Sequence, residues 1–115
     1  MRSSLLYLSE MLNAIRTIKD FTQDMDKESF FKDEKTKSAV AHQILILGEA
    51  SKGIPADVKS RAPNLNWKSI AGMRDRMIHA YFNVDYDLLW DTAKNRVPEV
   101  EKELEKLIDE LSSNN

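Results

Sequence analysis

The chain has few residues that interrupt helices, and its apolar residues recur at helical spacing. Only three glycines and three prolines occur in 115 residues. Between residues 4 and 25, apolar residues return at steps of three and four, the spacing that keeps side chains on one face of a helix. Long periodic stretches with few turns favour helices over a many-stranded sheet. We therefore predict an all-α fold, an antiparallel bundle of four to five helices.

Capping residues and prolines divide this bundle into its elements. The predicted helices cover residues 4–25, about 36–52, 67 to about 80, 86–96, and a last stretch after Pro98, which either breaks or restarts the helix. Asn66 and Asp85 are candidate N-caps, and Asp26 opens a short helical turn in an otherwise polar connection. Gly53 and Pro55 stop the second long helix. Residues 54–66 are predicted to form a loop with at most a short helix around 56–60.

Size and composition indicate an ordinary globular domain. A length of 115 residues suits a single domain covering residues 1–115. The absence of cysteine excludes a disulfide framework and thiolate metal sites, and it favours a reducing, cytoplasmic location. No apolar stretch resembles a signal peptide or approaches the roughly 20 residues that cross a bilayer, so no membrane partner is expected.

Charge is unevenly distributed along the chain, although the net charge is only −2. Six basic residues lie between residues 52 and 81, opposed by two aspartates: Lys52, Lys59, Arg61, Lys68, Arg74 and Arg76. The last helix is acidic instead. The basic segment can attract phosphates. The alternative is that these charges are merely solvated.

Arg74 is anomalous because it falls in the middle of the apolar arc of its predicted helix. A permanent cation directed at an apolar surface is costly unless it is paired or faces a wet cleft. One explanation is an ion pair with a carboxylate of a neighbouring helix, for example Glu49, or a side chain whose stem covers the core. The other is an anion site, in which the guanidinium binds a phosphate.

His79 lies on another side of the same helix, four residues after Asp75. A carboxylate at that spacing could orient the imidazole. Arg74 and His79 do not meet in a straight helix, so a joint site requires a distorted helix end or two facing copies of the helix. The apolar run Ile44 to Leu47 indicates that its helix is either central in the bundle or shared with a partner subunit. His42 is interpreted as structural.

The stretch from Arg74 to Tyr81 reads R-x4-H-x-Y and resembles the signature of HepT-like proteins in the HEPN superfamily. Similar segments extend over most of the chain. They comprise Tyr7-Leu8, Ile46-Leu47-Gly48-Glu49-Ala50, Pro63 with Trp67, Ile70-Ala71-Gly72-Met73, Phe82, Val84-Asp85 and Trp90. The resemblance implies a HEPN-like helical bundle that forms a homodimer or higher homo-oligomer, with two copies of the motif lining a shared cleft.

The resemblance further implies a toxin of a type II-like toxin–antitoxin module, an endoribonuclease that cleaves RNA without a metal or cofactor. Arg74 and His79 correspond to the catalytic residues, and Asp75 to a polar position with an orienting role. The ribose 2′-hydroxyl would attack the adjacent phosphate, histidine would serve as base or acid, and arginine would stabilise the developing charge.

Tyr81 matches a tyrosine to which a partner nucleotidyltransferase, the antitoxin, attaches adenylate in HepT-like systems. The alternative for Tyr81 is an aromatic residue at the end of a core stripe. The alternative for the whole chain is a non-catalytic HEPN module that binds a nucleotide or another protein. A metal enzyme is poorly supported, because two histidines on separate helices without cysteine make no convincing ligand cluster.

Overall fold

A computed structural model of the chain describes residues 3–79 and 84–113, except for the side chains of residues 78 and 79. The described part is helical and contains no strand. Its helices are α1 (Ser4–Thr22), α2 (Lys27–Lys32), α3 (Glu34–Lys52), α4 (Ala56–Lys59), α5 (Trp67–His79), α6 (Tyr86–Asp91) and α7 (Val97–Ser113), with a π-helical segment (Thr92–Arg96) between α6 and α7. The predicted all-α class is confirmed. The predicted helix end near Ala80 lies outside the described residues.

Side-chain caps determine where most of these helices begin. The carboxylates of Asp26 and Asp85 accept hydrogen bonds from backbone N–H groups in the first turns of α2 and α6. The Asn66 amide oxygen does the same for α5, accepting from Ser69. These three predicted caps are confirmed. Asp33 caps α3 through the N–H of Thr36, so α3 begins at Glu34, earlier than predicted.

Helix α1 is shorter than the predicted 4–25 because the backbone reverses just beyond Thr22. Asp24 has a φ of 64°, in the left-handed region that L-residues rarely adopt and that a right-handed helix cannot contain. Aspartate tolerates this conformation better than most residues, because its short side chain can hydrogen-bond locally.

Helix α3 is central in the bundle and packs against both α1 and α5. Ile44 and Leu47 are almost completely buried, whereas Leu45 and Ile46 are half-buried. The apolar run of α3 thus faces neighbours on more than one side, as the central alternative predicts. Tyr7 near the start of α1 contacts the end of α3, where a β-carbon on Gly53 would lie 2.6 Å from the Tyr7 ring. Helices α1 and α3 are therefore antiparallel.

Pro98 does not end the helix; the hydrogen-bond pattern changes ahead of it instead. In the π-helical segment the Val97 N–H donates to the Thr92 carbonyl, five residues earlier. Pro98 lacks an N–H and would clash with a carbonyl in a regular helix, so this wider turn accommodates it before α7 continues. Pro98 therefore does not break the helix, and it lies in the first turn of α7, which begins at Val97.

Ionic contacts join α7 to α1. Glu101 accepts hydrogen bonds from Lys19 at 2.6 Å and from Arg16 at 3.4 Å, and Arg16 also reaches Glu105 at 3.2 Å. Residues later in α1 therefore meet residues early in α7, and these two helices are also antiparallel. Leu104 and Leu107 of α7 complete the core beneath the contacts.

Candidate active site

The candidate site lies where α5 crosses α3, and its central residue is Arg74. Ile70, one turn earlier, is 3% exposed, and Met73 and Met77 pack against the core. Arg74 shares this inward side of α5, as its position in the apolar arc predicts. Its side chain is 28% exposed, so the stem is covered while part of the guanidinium remains open to solvent.

Gly48 allows α3 and α5 to approach closely at this point. A β-carbon built on Gly48 would overlap Cβ of Arg74 and would lie 3.2 Å from the Ile70 carbonyl oxygen. Any larger residue at position 48 would force the backbones of α3 and α5 apart, because a side-chain rotation cannot move Cβ. Gly48 therefore sets the position from which Arg74 projects.

The Arg74 guanidinium is held by two carboxylates. Its Nε lies 2.9 Å from Oε2 of Glu49 on α3, and its Nη1 donates to Oδ1 of Asp75 at 3.1 Å. The ion pair proposed from the sequence is therefore present. It does not exclude the anion-site alternative, because a guanidinium has five N–H donors and these two contacts do not engage them all.

Asp75 receives a second cation at the same oxygen atom. The Lys52 ammonium donates to Asp75 Oδ1 at 2.8 Å. Lys52, followed by Arg74, holds the pKa of the Asp75 carboxyl below its ordinary value of 3.8, so this group is ionised at neutral pH. Sequence reasoning missed the contact because residues 52 and 75 lie on different helices, and no spacing rule connects them. The only available signal was the basic character of the segment that begins at Lys52.

The side chains of the two remaining predicted site residues, His79 and Tyr81, are outside the part of the chain that the structure describes. The described part of α5 extends to His79, but the His79 side chain lies outside it, and so does Tyr81. The predicted pairing of Asp75 with His79 thus remains a prediction. His42, the other histidine, is exposed on α3.

The basic residues between positions 52 and 81 lie in separate places on the molecule. Lys52 and Arg74 meet at the crossing of α3 and α5, and Arg61 pairs with Glu110 at 3.7 Å. Lys68 and Arg76 line a groove of about 350 Å³ beside α6, together with Arg96. The basic residues consequently form small separate patches instead of one continuous basic surface.

Two kinds of feature are absent from residues 3–79 and 84–113. No helix there is long and apolar enough to cross a membrane. Nor do three histidine, cysteine or acidic side chains come together as a metal site would require, among the side chains that the structure describes, which do not include that of His79.

A half-buried arginine positioned by carboxylates, on a helix that continues to a histidine, is suited to binding and neutralising a phosphate. Comparison with known proteins agrees with this chemistry. A family model described as ribonuclease HepT-like matches residues 11–107. The chain belongs to the HepT-like ribonuclease family. This membership supports an RNase activity and RNA as the substrate.

Relatives of the HepT-like chain share most of its length. A Methanocaldococcus jannaschii protein named as a proposed RNase is 44% identical over 105 residues, which cover 91% of this chain and 90% of the relative. A second protein of that organism with the same kind of name is 41% identical, covering 91% and 87%. A Thermococcus cleftensis protein provisionally named ribonuclease HepT is 44% identical over 106 residues, covering 92% and 96%. Among solved structures, none is a significant match.

Proposed function

We propose that this chain is a single-domain, metal-independent endoribonuclease that acts as the toxin of a cytoplasmic toxin–antitoxin module. The proposal rests on the structural position of Arg74, in a chain that belongs to the HepT-like family. Its stem is covered by the core, and its guanidinium is held by Glu49 and Asp75. A cation fixed in this way loses little conformational freedom when a phosphate arrives.

The proposed reaction needs only groups that RNA and the protein already supply. The ribose 2′-oxygen attacks the adjacent phosphorus, and its proton passes to a base. The bond from phosphorus to the 5′-oxygen breaks, and an acid protonates that leaving oxygen. His79 is assigned the proton transfers because imidazole titrates near neutrality, and Arg74 is assigned to the charge that develops on the phosphate. The products are a 2′,3′-cyclic phosphate and a 5′-hydroxyl.

Two copies of the chain would divide the acid and base roles. Helical spacing puts positions 74 and 79 on different sides of α5, and a cleft between two α5 helices could bring a pair of His79 residues to one phosphate. Asp75 is assigned an orienting role. Its contact with Arg74 supports orientation of the guanidinium, and orientation of His79 is a second part of the same proposal.

We assign to Tyr81 the modification by which the antitoxin silences the ribonuclease. Adenylate attached to the phenol by a nucleotidyltransferase antitoxin would place bulk and negative charge close along the chain to Arg74 and His79. The added phosphate would then compete with RNA for the guanidinium.

A second candidate function is a non-catalytic module that binds a nucleotide or a partner protein. The observation that favours it is the balance of charge at the site. Glu49 and Asp75 neutralise Arg74 and Lys52 without any ligand, as a purely structural ion-pair network would.

Cleavage of RNA in EDTA distinguishes these two functions. Purified protein, shown by mass spectrometry to carry no adenylate on Tyr81, is incubated with labelled bulk tRNA and mRNA. We expect cleavage, and we expect Arg74→Ala and His79→Ala each to lower its rate by about 100-fold or more, because each removes a group that acts on the transition state.

Each variant has a matched control in the same chain. Arg76→Ala removes an exposed arginine of α5, and His42→Ala removes an exposed histidine of α3; both should cleave like the wild type. Intact RNA with unmodified, folded wild-type protein would favour the binding module. Equal losses in Arg74→Ala and Arg76→Ala would contradict the role given to Arg74.

A further inference from the structure

Two cations from different helices converge on a single carboxylate oxygen. Lys52 Nζ lies 2.8 Å and Arg74 Nη1 3.1 Å from Oδ1 of Asp75. The ammonium and the guanidinium are therefore close neighbours although like charges repel. Asp75 offsets this repulsion and holds the pair in place.

Stability alone is a weak reason for this arrangement. The Lys52 side chain is 39% exposed and that of Asp75 is 47% exposed. Exposed ion pairs contribute little to folding, typically less than about 1 kcal/mol. Lys52 also lies in the last turn of α3, where a cation interacts favourably with the helix dipole without needing Asp75.

Both cations keep the capacity to bind an anion while they contact Asp75. An ammonium has three N–H donors, and the Asp75 contact uses one of them. A phosphate has several acceptor oxygens, so it can accept from the Lys52 ammonium and the Arg74 guanidinium together. Asp75 thus holds two donors ready for one anion.

A pocket adjoins the Lys52 side of this pair. Lys52 and Glu49 both line a pocket of about 470 Å³ between α1 and α3, together with Tyr7, Glu10, Ile46, Ala50 and Gly53. This volume lies within the range of roughly 300–1,000 Å³ that is typical of small-molecule sites. A nucleoside attached to the bound phosphate can extend into this pocket.

We propose that Lys52 is a substrate-binding residue that contacts the same RNA phosphate as Arg74. The inference rests on the proposed ribonuclease function, since it names a further contact of that site. Lys52 acts on binding and carries no proton in the reaction.

Binding of RNA, measured separately from cleavage, tests this role. The protein carries His79→Ala so that the RNA stays intact, and a short fluorescent single-stranded RNA is titrated in EDTA at several salt concentrations. We expect Lys52→Ala to weaken binding roughly tenfold, as the loss of a charge-assisted hydrogen bond would. The slope of log affinity against log salt should fall by about 0.7, the value for one phosphate contact on a single strand.

Two further variants show whether Lys52→Ala weakens binding through a lost contact with RNA or through the change in net charge. Lys35→Ala removes an exposed lysine from the other end of α3 and should leave affinity and slope nearly unchanged. Lys52→Arg keeps the cation and should restore most of both. Thermal unfolding of each variant shows whether it is folded.

The outcomes for Lys52 and for the ribonuclease function are distinguishable. If Lys52→Ala binds RNA like Lys35→Ala while the wild type cleaves, the role of Lys52 is wrong and the ribonuclease stands. If Lys52 is needed for binding but the wild type does not cleave, the phosphate site stands and the catalytic function fails. RNA that does not bind at all overturns the inference.

Discussion

Arg74 shows how a single side chain can serve packing and chemistry together. Its stem fills space against α3, and its charged end is held by Glu49 and Asp75. Because arginine cannot lose its proton in proteins, these carboxylates also make its partial burial tolerable. These contacts permit the burial of the side chain. They also hold the guanidinium in a position in which it can bind a phosphate.

Asp75 should make the stability of the protein depend on pH. Its pKa is lowered in the folded state by Lys52 and Arg74, so the folded protein favours the ionised carboxylate. The stabilisation is fully present above the ordinary pKa of 3.8 and is lost as the pH falls through the lowered value. We expect Asp75→Asn to be less stable than the wild type at neutral pH, and this difference should shrink below pH 3.8.

Denaturant unfolding of both proteins at a series of pH values measures this difference. Asparagine has nearly the same shape and retains an acceptor oxygen, so the substitution removes mainly the charge. A difference in unfolding free energy that stays constant from neutral pH to pH 3 would contradict the contribution assigned to the Asp75 charge.

At the residue scale, the sequence predicts the central arginine of the site but not all of the residues that contact it. The apolar arc of α5 singles out Arg74, and it leads to Glu49 as one possible partner. Lys52 could not be found in this way, since its contact with Asp75 depends on how two helices cross. The contacts observed for Asp75 are with Lys52 and Arg74. The pairing with His79 that helical spacing predicts stays a prediction, because the His79 side chain lies outside the described residues.

At the scale of elements, the close crossing of α3 and α5 depends on Gly48. A β-carbon there would overlap Cβ of Arg74. We expect Gly48→Ala to destabilise the protein by about 1–3 kcal/mol, as overpacking does. Cleavage by this variant should also fall, because α5 carries both Arg74 and His79 and would have to shift.

Gly72 provides the matched control for this prediction. It lies inside α5, and a β-carbon on it would meet nothing within 4 Å. Alanine there should stabilise the helix by roughly 0.5–1 kcal/mol, since glycine has more conformational freedom to lose on folding. Unfolding free energies measured in urea test both changes. Equal stability of Gly48→Ala and Gly72→Ala would contradict the packing role of Gly48.

The start of a helix was predictable where a nearby side chain caps its first turn. Asp26, Asn66 and Asp85 each cap the helix that follows, as the capping pattern indicates. The cap at Asp33 was missed, although aspartate followed by an acidic first turn is a typical helix start. The π-helical segment before Pro98 was not predictable, because proline in a first turn is equally compatible with a regular restart.

At the scale of the whole molecule, the bundle accounts for the buried part of the apolar run in α3, while Leu45 and Ile46 stay half-buried. Neighbouring helices already cover Ile44 and Leu47. The proposed dimer rests on the chemistry of the site, because helical spacing puts positions 74 and 79 on different sides of α5. The all-α class followed from periodicity, whereas the position of α3 between α1 and α5 depends on contacts distant in sequence.

The chemical ends of RNA fragments formed in EDTA test the central claim most directly. A synthetic RNA that the unmodified protein cleaves is compared with the same RNA carrying a single 2′-deoxy nucleotide at the cleavage site, and fragment ends are identified by mass spectrometry.

Attack by the 2′-hydroxyl predicts fragments that end in a 2′,3′-cyclic phosphate, with a 5′-hydroxyl on the other product. It also predicts no cleavage at the 2′-deoxy position. Fragments with a 5′-phosphate, or cleavage that continues at the 2′-deoxy nucleotide, would contradict the proposed mechanism.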